Sequence, residues 1–144
     1  MKVFDVGTDV KILWEAPFNH YSNIDAYQIK LMTNNGTYTE YKLRCDGSIN
    51  PSVLSCLIPM LEIGPLTQMP LNSLIKVIVR ARNFKGWSAL SEPNIVGSLV
   101  KSLPSKMSPI TIKLEEVFDT SILIRWTPLN QSQTGGVDIT NYII

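Results

Sequence analysis

A hydrophobic period of two narrows the fold more than any other feature of the chain. Val10, Ile12 and Trp14 alternate with Lys11 and Leu13, and Tyr27, Ile29 and Leu31 alternate with Gln28 and Lys30. Ile75, Val77, Val79 and Ala81 alternate with Lys76, Arg80 and Arg82, and only Ile78 breaks the outward polar face. Ile122, Ile124 and Trp126 alternate with Leu123 and Arg125. Successive side chains on a strand point to opposite faces, so the pattern predicts half-buried strands of antiparallel sheets. Turn formers punctuate these runs at Asn34-Asn35-Gly36, Asp46-Gly47, Lys85-Gly86 and Gly135-Gly136. No stretch reads as an amphipathic helix. Short strands with regular turns predict an all-β chain, folded as a sandwich or barrel.

Composition supports a folded chain and removes several function classes. Apolar residues make up 44% and charged residues 17%, enough to fill a core. Thirteen Lys and Arg face twelve Asp and Glu, for a net charge of +1. That balance gives no footprint for nucleic acid or an anionic membrane surface. No apolar run approaches the roughly 18 residues of a membrane-spanning helix. The start, Met1 to Asp9, carries no apolar core of a secretory signal.

Cys45 and Cys56 are the two thiols, and Asp46-Gly47 and Asn50-Pro51 reverse the chain between them. A reversal can bring the pair within disulfide range; two buried free cysteines are the other reading. Asn35-Gly36-Thr37 and Asn130-Gln131-Ser132 match the N-glycosylation acceptor, whereas Pro51 disqualifies Asn50. Both acceptors lie in expected turns. With the cysteine pair they point to a secreted or cell-surface setting; a cytoplasmic one is the alternative.

The chain also repeats itself. Trp14 is followed by Pro17 and then Ile24-Asp25-Ala26-Tyr27-Gln28-Ile29; Trp126 is followed by Pro128 and then Ile139-Thr140-Asn141-Tyr142-Ile143-Ile144. The two Trp stand about 110 positions apart, near the size of one small sandwich. The expected organisation is one module at 1–97, a linker at 98–108 and the opening of a second module at 109–144, in a natural polypeptide that continues.

These registers resemble fibronectin type III modules, which are antiparallel sandwiches of immunoglobulin-like fold. Trp14 is similar to the family's core Trp of strand B, and Tyr27 to its strand C Tyr. Val77 to Ser88 resembles strand F, the F–G turn and the start of strand G, and Ser91-Glu92-Pro93 its close. Ile122 to Trp126 resembles a second strand B. The resemblance implies a core of Trp14, Tyr27, Val77, Val79 and Trp126. Ile75 stands where the family usually places the Tyr of its tyrosine corner. Cys56-Leu57-Ile58-Pro59-Met60 is similar to a variant of long, repeat-bearing surface proteins of single-celled eukaryotes.

Catalysis needs a nucleophile and a base, or a metal and its ligands. His20 stands alone in Phe18-Asn19-His20-Tyr21-Ser22, so a catalytic, metal or cofactor site is not expected. Glu115 and Glu116 are adjacent, so on a strand they point apart. The three Trp read as core or strand-edge residues. Trp87-Ser88-Ala89-Leu90-Ser91 resembles the WSxWS text of cytokine-receptor modules, with Leu90 in place of the second Trp; that text works by stacking Trp against Arg of the neighbouring strand, for which Arg80 and Arg82 are the candidates. The commoner meaning of such text is an ordinary start of strand G. The expected function is a non-catalytic structural or adhesive module of an extracellular tandem array, whose partners are neighbouring modules and an unidentified protein. Alternatives are a ligand-binding receptor ectodomain, which would use the Pro17–Asn23 loop and Asn83, Phe84, Lys85 and Gly86, and an accessory module of a larger enzyme.

Overall fold

The computed structural model describes residues 1–110, 117–118 and 121–144. The chain is mostly β, and its contacts divide it into two units, Met1–Ser102 and Leu103–Ile144. In the first unit, β1 (Lys2–Val6), β2 (Asp9–Leu13) and β5 (Ser55–Pro59) form a three-stranded sheet in the order β1-β2-β5. β3 (Ile24–Met32), β4 (Tyr38–Glu40), β6 (Val77–Asn83) and β7 (Gly86–Trp87) form a four-stranded sheet in the order β4-β3-β6-β7. Every one of these strand pairs is antiparallel.

The period of two places the core. Val10 and Ile12 on β2 and Ile58 on β5 share one buried cluster with Tyr27, Ile29 and Leu31 on β3 and Val77 and Ala81 on β6. Both sheets therefore turn their apolar faces into a single core. Trp14, directly after β2, is 3% exposed, and its ring stands 5.7 Å from that of Tyr27 at 56°. This tilted geometry suits two ring quadrupoles. Gly7, at φ +59°, supplies the left-handed position of the tight β1–β2 loop.

The segment between β4 and β5 is fastened at several points. Cys45 and Cys56 form a disulfide, with Cα atoms 5.2 Å apart. The Tyr27 amide donates to the Gly47 carbonyl at 2.9 Å. A Cβ on Gly47 would lie 2.7 Å from Tyr27 Cβ, so only glycine permits this approach. Arg44 donates from Nε and Nη2 to the two oxygens of Glu62 at 3.1 and 2.7 Å, and the Tyr41 hydroxyl donates to Glu62 at 2.6 Å. Arg44 first, and then Tyr41, hold the Glu62 carboxyl below its ordinary pKa.

Two features depart from the sequence reading. A helix, α1 (Met60–Thr67), follows β5, where no helix is expected. Gly64 and Pro65 mask it in the sequence, because both weaken helix interiors. The structure keeps it by burying Met60, Ile63 and Thr67 on one face. Gln68 closes it in the left-handed region at φ +54°, and its amide donates to Gly64.

The second departure follows β7, where the strand stops at Trp87. Residues 88–94 then run beside β6 and bind it through side chains. Ser88 Oγ accepts from the Ala81 amide at 3.1 Å, Ser91 Oγ from Val79 at 3.0 Å and Asn94 Oδ1 from Val77 at 2.8 Å. The Ser88 and Ser91 amides, and Asn94 Nδ2, donate in return to the carbonyls of Ala81, Val79 and Ile75. The period here is three. Further on, within the segment read as a linker, the Ser98 amide donates to Val3, and Val100 is buried with hydrogen bonds to Asn72 and Ser73.

In the second unit, β8 (Val117–Phe118) pairs antiparallel with β9 (Ser121–Ile122). Trp126 is half-buried, and its ring stands 5.7 Å from that of Tyr142 at 54°. Leu123 and Arg125 are exposed, whereas Ile124 and Trp126 are half-buried, so the alternation expected here persists beyond β9.

Candidate interaction surface

Two loops of the first unit meet around an open cleft of about 360 Å³, lined from one side by Phe18 and His20 and from the other by Arg82, Lys85 and Trp87. The Pro17–Asn23 loop departs from the core after Trp14. His20 and Tyr21 both sit in the left-handed region, at φ +49° and +62°. Each such position costs a bulky residue on the order of 1–3 kcal/mol. Local bonds offset that cost: Asn19 Oδ1 accepts from the Tyr21 amide and the Asn19 carbonyl from the Ser22 amide, both at 3.0 Å. The Phe18 ring also meets His20 and Tyr21 edge-on, at 4.8 and 5.8 Å. Phe18 and Tyr21 remain 67% and 96% exposed.

The opposite wall is the β6–β7 turn. Asn83 Oδ1 accepts from the Lys85 amide at 2.9 Å, and Gly86, at φ +126°, completes the reversal. Asn83 is half-buried, whereas Phe84, Lys85 and Gly86 are exposed, with the Lys85 ammonium 4.6 Å from the Phe84 ring. Next to this turn, Trp87 carries two guanidinium groups, Arg80 at 4.7 Å and Arg82 at 5.3 Å. Arg80 Nε donates to Gln28 Oε1 at 2.7 Å, and Gln28 Nε2 to Glu40 at 2.9 Å. Arg82 Nε donates to Asp25 at 2.8 Å. An ordered row thus crosses the outer face of the four-stranded sheet.

The residues singled out in the sequence fall as follows. Trp14, Tyr27 and Val77 are buried, and Val79 and Trp126 are half-buried. Asn35 and Asn130 are exposed, and each side-chain oxygen accepts from the hydroxyl two residues on, from Thr37 at 2.7 Å and from Ser132 at 2.6 Å. His20 is exposed at the cleft rim. Glu115 and Glu116 lie outside the described residues. Among the described residues no three His, Cys, Asp or Glu gather as a metal site would require, and no helix is long and apolar enough to cross a membrane.

Sequence reasoning offered the Pro17–Asn23 loop as a binding surface without singling out Phe18 and Tyr21 as its exposed rings. The signal was the packing of three aromatic rings into the turn text at 18–21, where a core residue has no sheet to point from. Trp87, whose commoner reading is an ordinary start of strand G, is a stacking surface for two arginines, as its WSxWS-like text implies. A second cleft, of about 280 Å³, borders Trp14 and the disulfide. The Trp14 indole N–H nearby is buried without a hydrogen-bond partner among the described residues.

No protein-family model matches the chain, and no curated protein is similar to it at a significant level.

Proposed function

We propose that the chain is a non-catalytic protein-interaction module with the fibronectin type III sandwich fold, working outside the cell or at its surface as one member of a tandem array. The observation that carries the interaction reading is the cleft between the 17–23 and 83–86 loops. Phe18 lines it together with Arg82, Lys85 and Trp87, and the exposed rings of Tyr21 and Phe84 lie on the same two loops. Exposed aromatics clustered with arginine are what a protein-binding patch is made of. Two antiparallel sheets sharing one core, with Trp14 against Tyr27, support the fold reading. The Cys45–Cys56 disulfide supports an oxidising compartment. The matching Trp14–Tyr27 and Trp126–Tyr142 pairs support repetition of one module design.

One observation favours a second reading, a receptor ectodomain. Trp87 stacked by Arg80 and Arg82 is the arrangement that the WSxWS-like text implies.

The test uses the full chain labelled with a fluorophore and a cell-surface preparation from the source cells. Saturable binding is expected, and the triple variant Phe18→Ser, Tyr21→Ser, Phe84→Ser should lose it without a change in melting temperature. Binding equal to wild type would remove the loop surface from the proposal, and absence of saturable binding by the wild type would remove adhesion.

A further inference from the structure

We propose that the cleft recognises an acidic, aromatic-bearing peptide segment of its protein partner; this rests on the reading of the loop end as the interaction surface. The charges at the cleft are unbalanced. Arg82 and Lys85 line it, and no carboxylate does. Asp25 pairs with Arg82 but lies outside the lining and takes only its Nε. Arg80 likewise spends Nε on Gln28. The Nη groups of both arginines have no hydrogen-bond partner among the described residues. Each guanidinium is held both by its Nε hydrogen bond and by its place over Trp87, which restrains its remaining donors before any ligand arrives. A planar guanidinium held in this way favours a carboxylate, which it can engage through two parallel bonds.

The spacing narrows the ligand further. Arg80 lies outside the cleft lining, on the sheet face that leads into it, and stands two residues from Arg82 on β6, a separation of about 6.6–6.8 Å along the strand. Carboxylates two apart on an extended peptide repeat at the same distance. A peptide reading acid-x-acid-x-aromatic therefore offers one carboxylate to each arginine. The intervening side chains point the other way, and the aromatic, on the same face as the acids, reaches the Phe18 ring and the apolar part of the cleft. A sulfated polysaccharide fits less well. Asp25 and Glu40 interrupt the cationic row, and the rings of Phe18, Tyr21 and Phe84 have no use for a polyanion.

The experiment titrates the full chain with a nine-residue peptide carrying Glu at its positions 3 and 5, Tyr at its position 7 and Ser elsewhere, its lysine-for-glutamate counterpart, and heparin. The acidic peptide should bind, the basic one should not, and raising NaCl from about 50 to 200 mM should weaken binding several-fold. Lys85→Glu, on an exposed turn, should weaken binding at least tenfold with an unchanged melting temperature, and Arg82→Gln should do the same. Lys106→Gln, exposed in the second unit, should leave it unaltered. Equal binding of both peptides, no binding of the acidic one, or tighter binding of heparin lost in the same variants would each overturn the proposal. If the acidic peptide fails while the triple aromatic variant still abolishes cell-surface binding, the anionic chemistry falls and the interaction surface stands. If the aromatic variant also binds normally, both fall.

Discussion

Replacing Asn94 with Ala tests whether the period-three segment holds the edge of β6. Asn94 is 8% exposed, and its amide makes three hydrogen bonds: from the Val77 amide at 2.8 Å, to the Ile75 carbonyl at 2.9 Å and to the Val96 carbonyl at 3.1 Å. Val77 and Ile75 are 0% and 3% exposed, so water cannot take the place of the lost amide at either. Val96 is 75% exposed, and water can serve it. Two buried groups orphaned at about 1–3 kcal/mol each predict a loss of about 2–6 kcal/mol. Asn94→Asp keeps the acceptor for Val77 but sets a carboxylate against two carbonyls, so it should be no milder. Ser88 is exposed, and Ser88→Ala should cost about 1 kcal/mol or less, with Ser91→Ala between the two. Urea unfolding of the full chain, followed by far-ultraviolet circular dichroism, measures all four. A loss below about 1 kcal/mol for Asn94→Ala, or equal losses for Asn94→Ala and Ser88→Ala, would show that this segment does not hold β6.

Four further outcomes are expected. Trp14→Ala should destabilise the chain by roughly 3–5 kcal/mol in the same unfolding assay, because the indole is buried at the centre of the shared core. Reducing Cys45–Cys56 should lower stability by about 3 kcal/mol and the melting temperature by about 10 °C or more, read by calorimetry with and without reductant. Asp5, lowered chiefly by its hydrogen bond from Lys101, and Glu62, lowered chiefly by Arg44, both have depressed pKa values in the folded chain. Their stabilisation is present above the ordinary carboxylate range, begins to fall as pH enters that range and is lost as pH falls through the lower folded-state values, so melting temperatures measured from pH 6 down to pH 2 should fall, and less so in Arg44→Met. Burial raises the pKa of Tyr27, so the opposite sign holds there: stability is intact in neutral solution and declines above about pH 10, where the unfolded Tyr ionises, which alkaline melting curves check.

The strands carrying the core were legible because burial on one face imposes a two-residue repeat that no other structure shares. Val10, Ile12, Tyr27, Ile29, Leu31 and Val77 follow that repeat and are buried. Helix α1 was not legible, because Gly64 and Pro65 carry strong local preferences that Met60 and Ile63 overcome only through tertiary packing. The disulfide was legible from the turn residues between its cysteines. The loop cleft was legible only as two loops. Their meeting depends on strand order, and strand order is not written in any local window. The Arg80–Trp87–Arg82 stack could be read from Trp87-Ser88 and the outward phase of the arginines, because neighbouring strands place their outward side chains together.

The segment after Trp87 shows why a strand-like text need not become a strand. Continued as a strand, residues 88–94 would bond β6 through every second backbone group and leave the other groups open to a further chain. Run with a period of three, the same length puts Ser88, Ser91 and Asn94 all on β6. Pro93 fits this path because its missing N–H is not asked for. The row that faces away offers no regular ladder, so this edge of the four-stranded sheet is finished without being covered. The other edge, β4, is only three residues long. The sheet thus discourages strand addition at both ends, which agrees with the proposed recognition through side chains at the loop cleft and not through backbone pairing. A partner that instead bound by adding a strand would have to displace Asn94 from Val77 and break the buried bonds that hold it there.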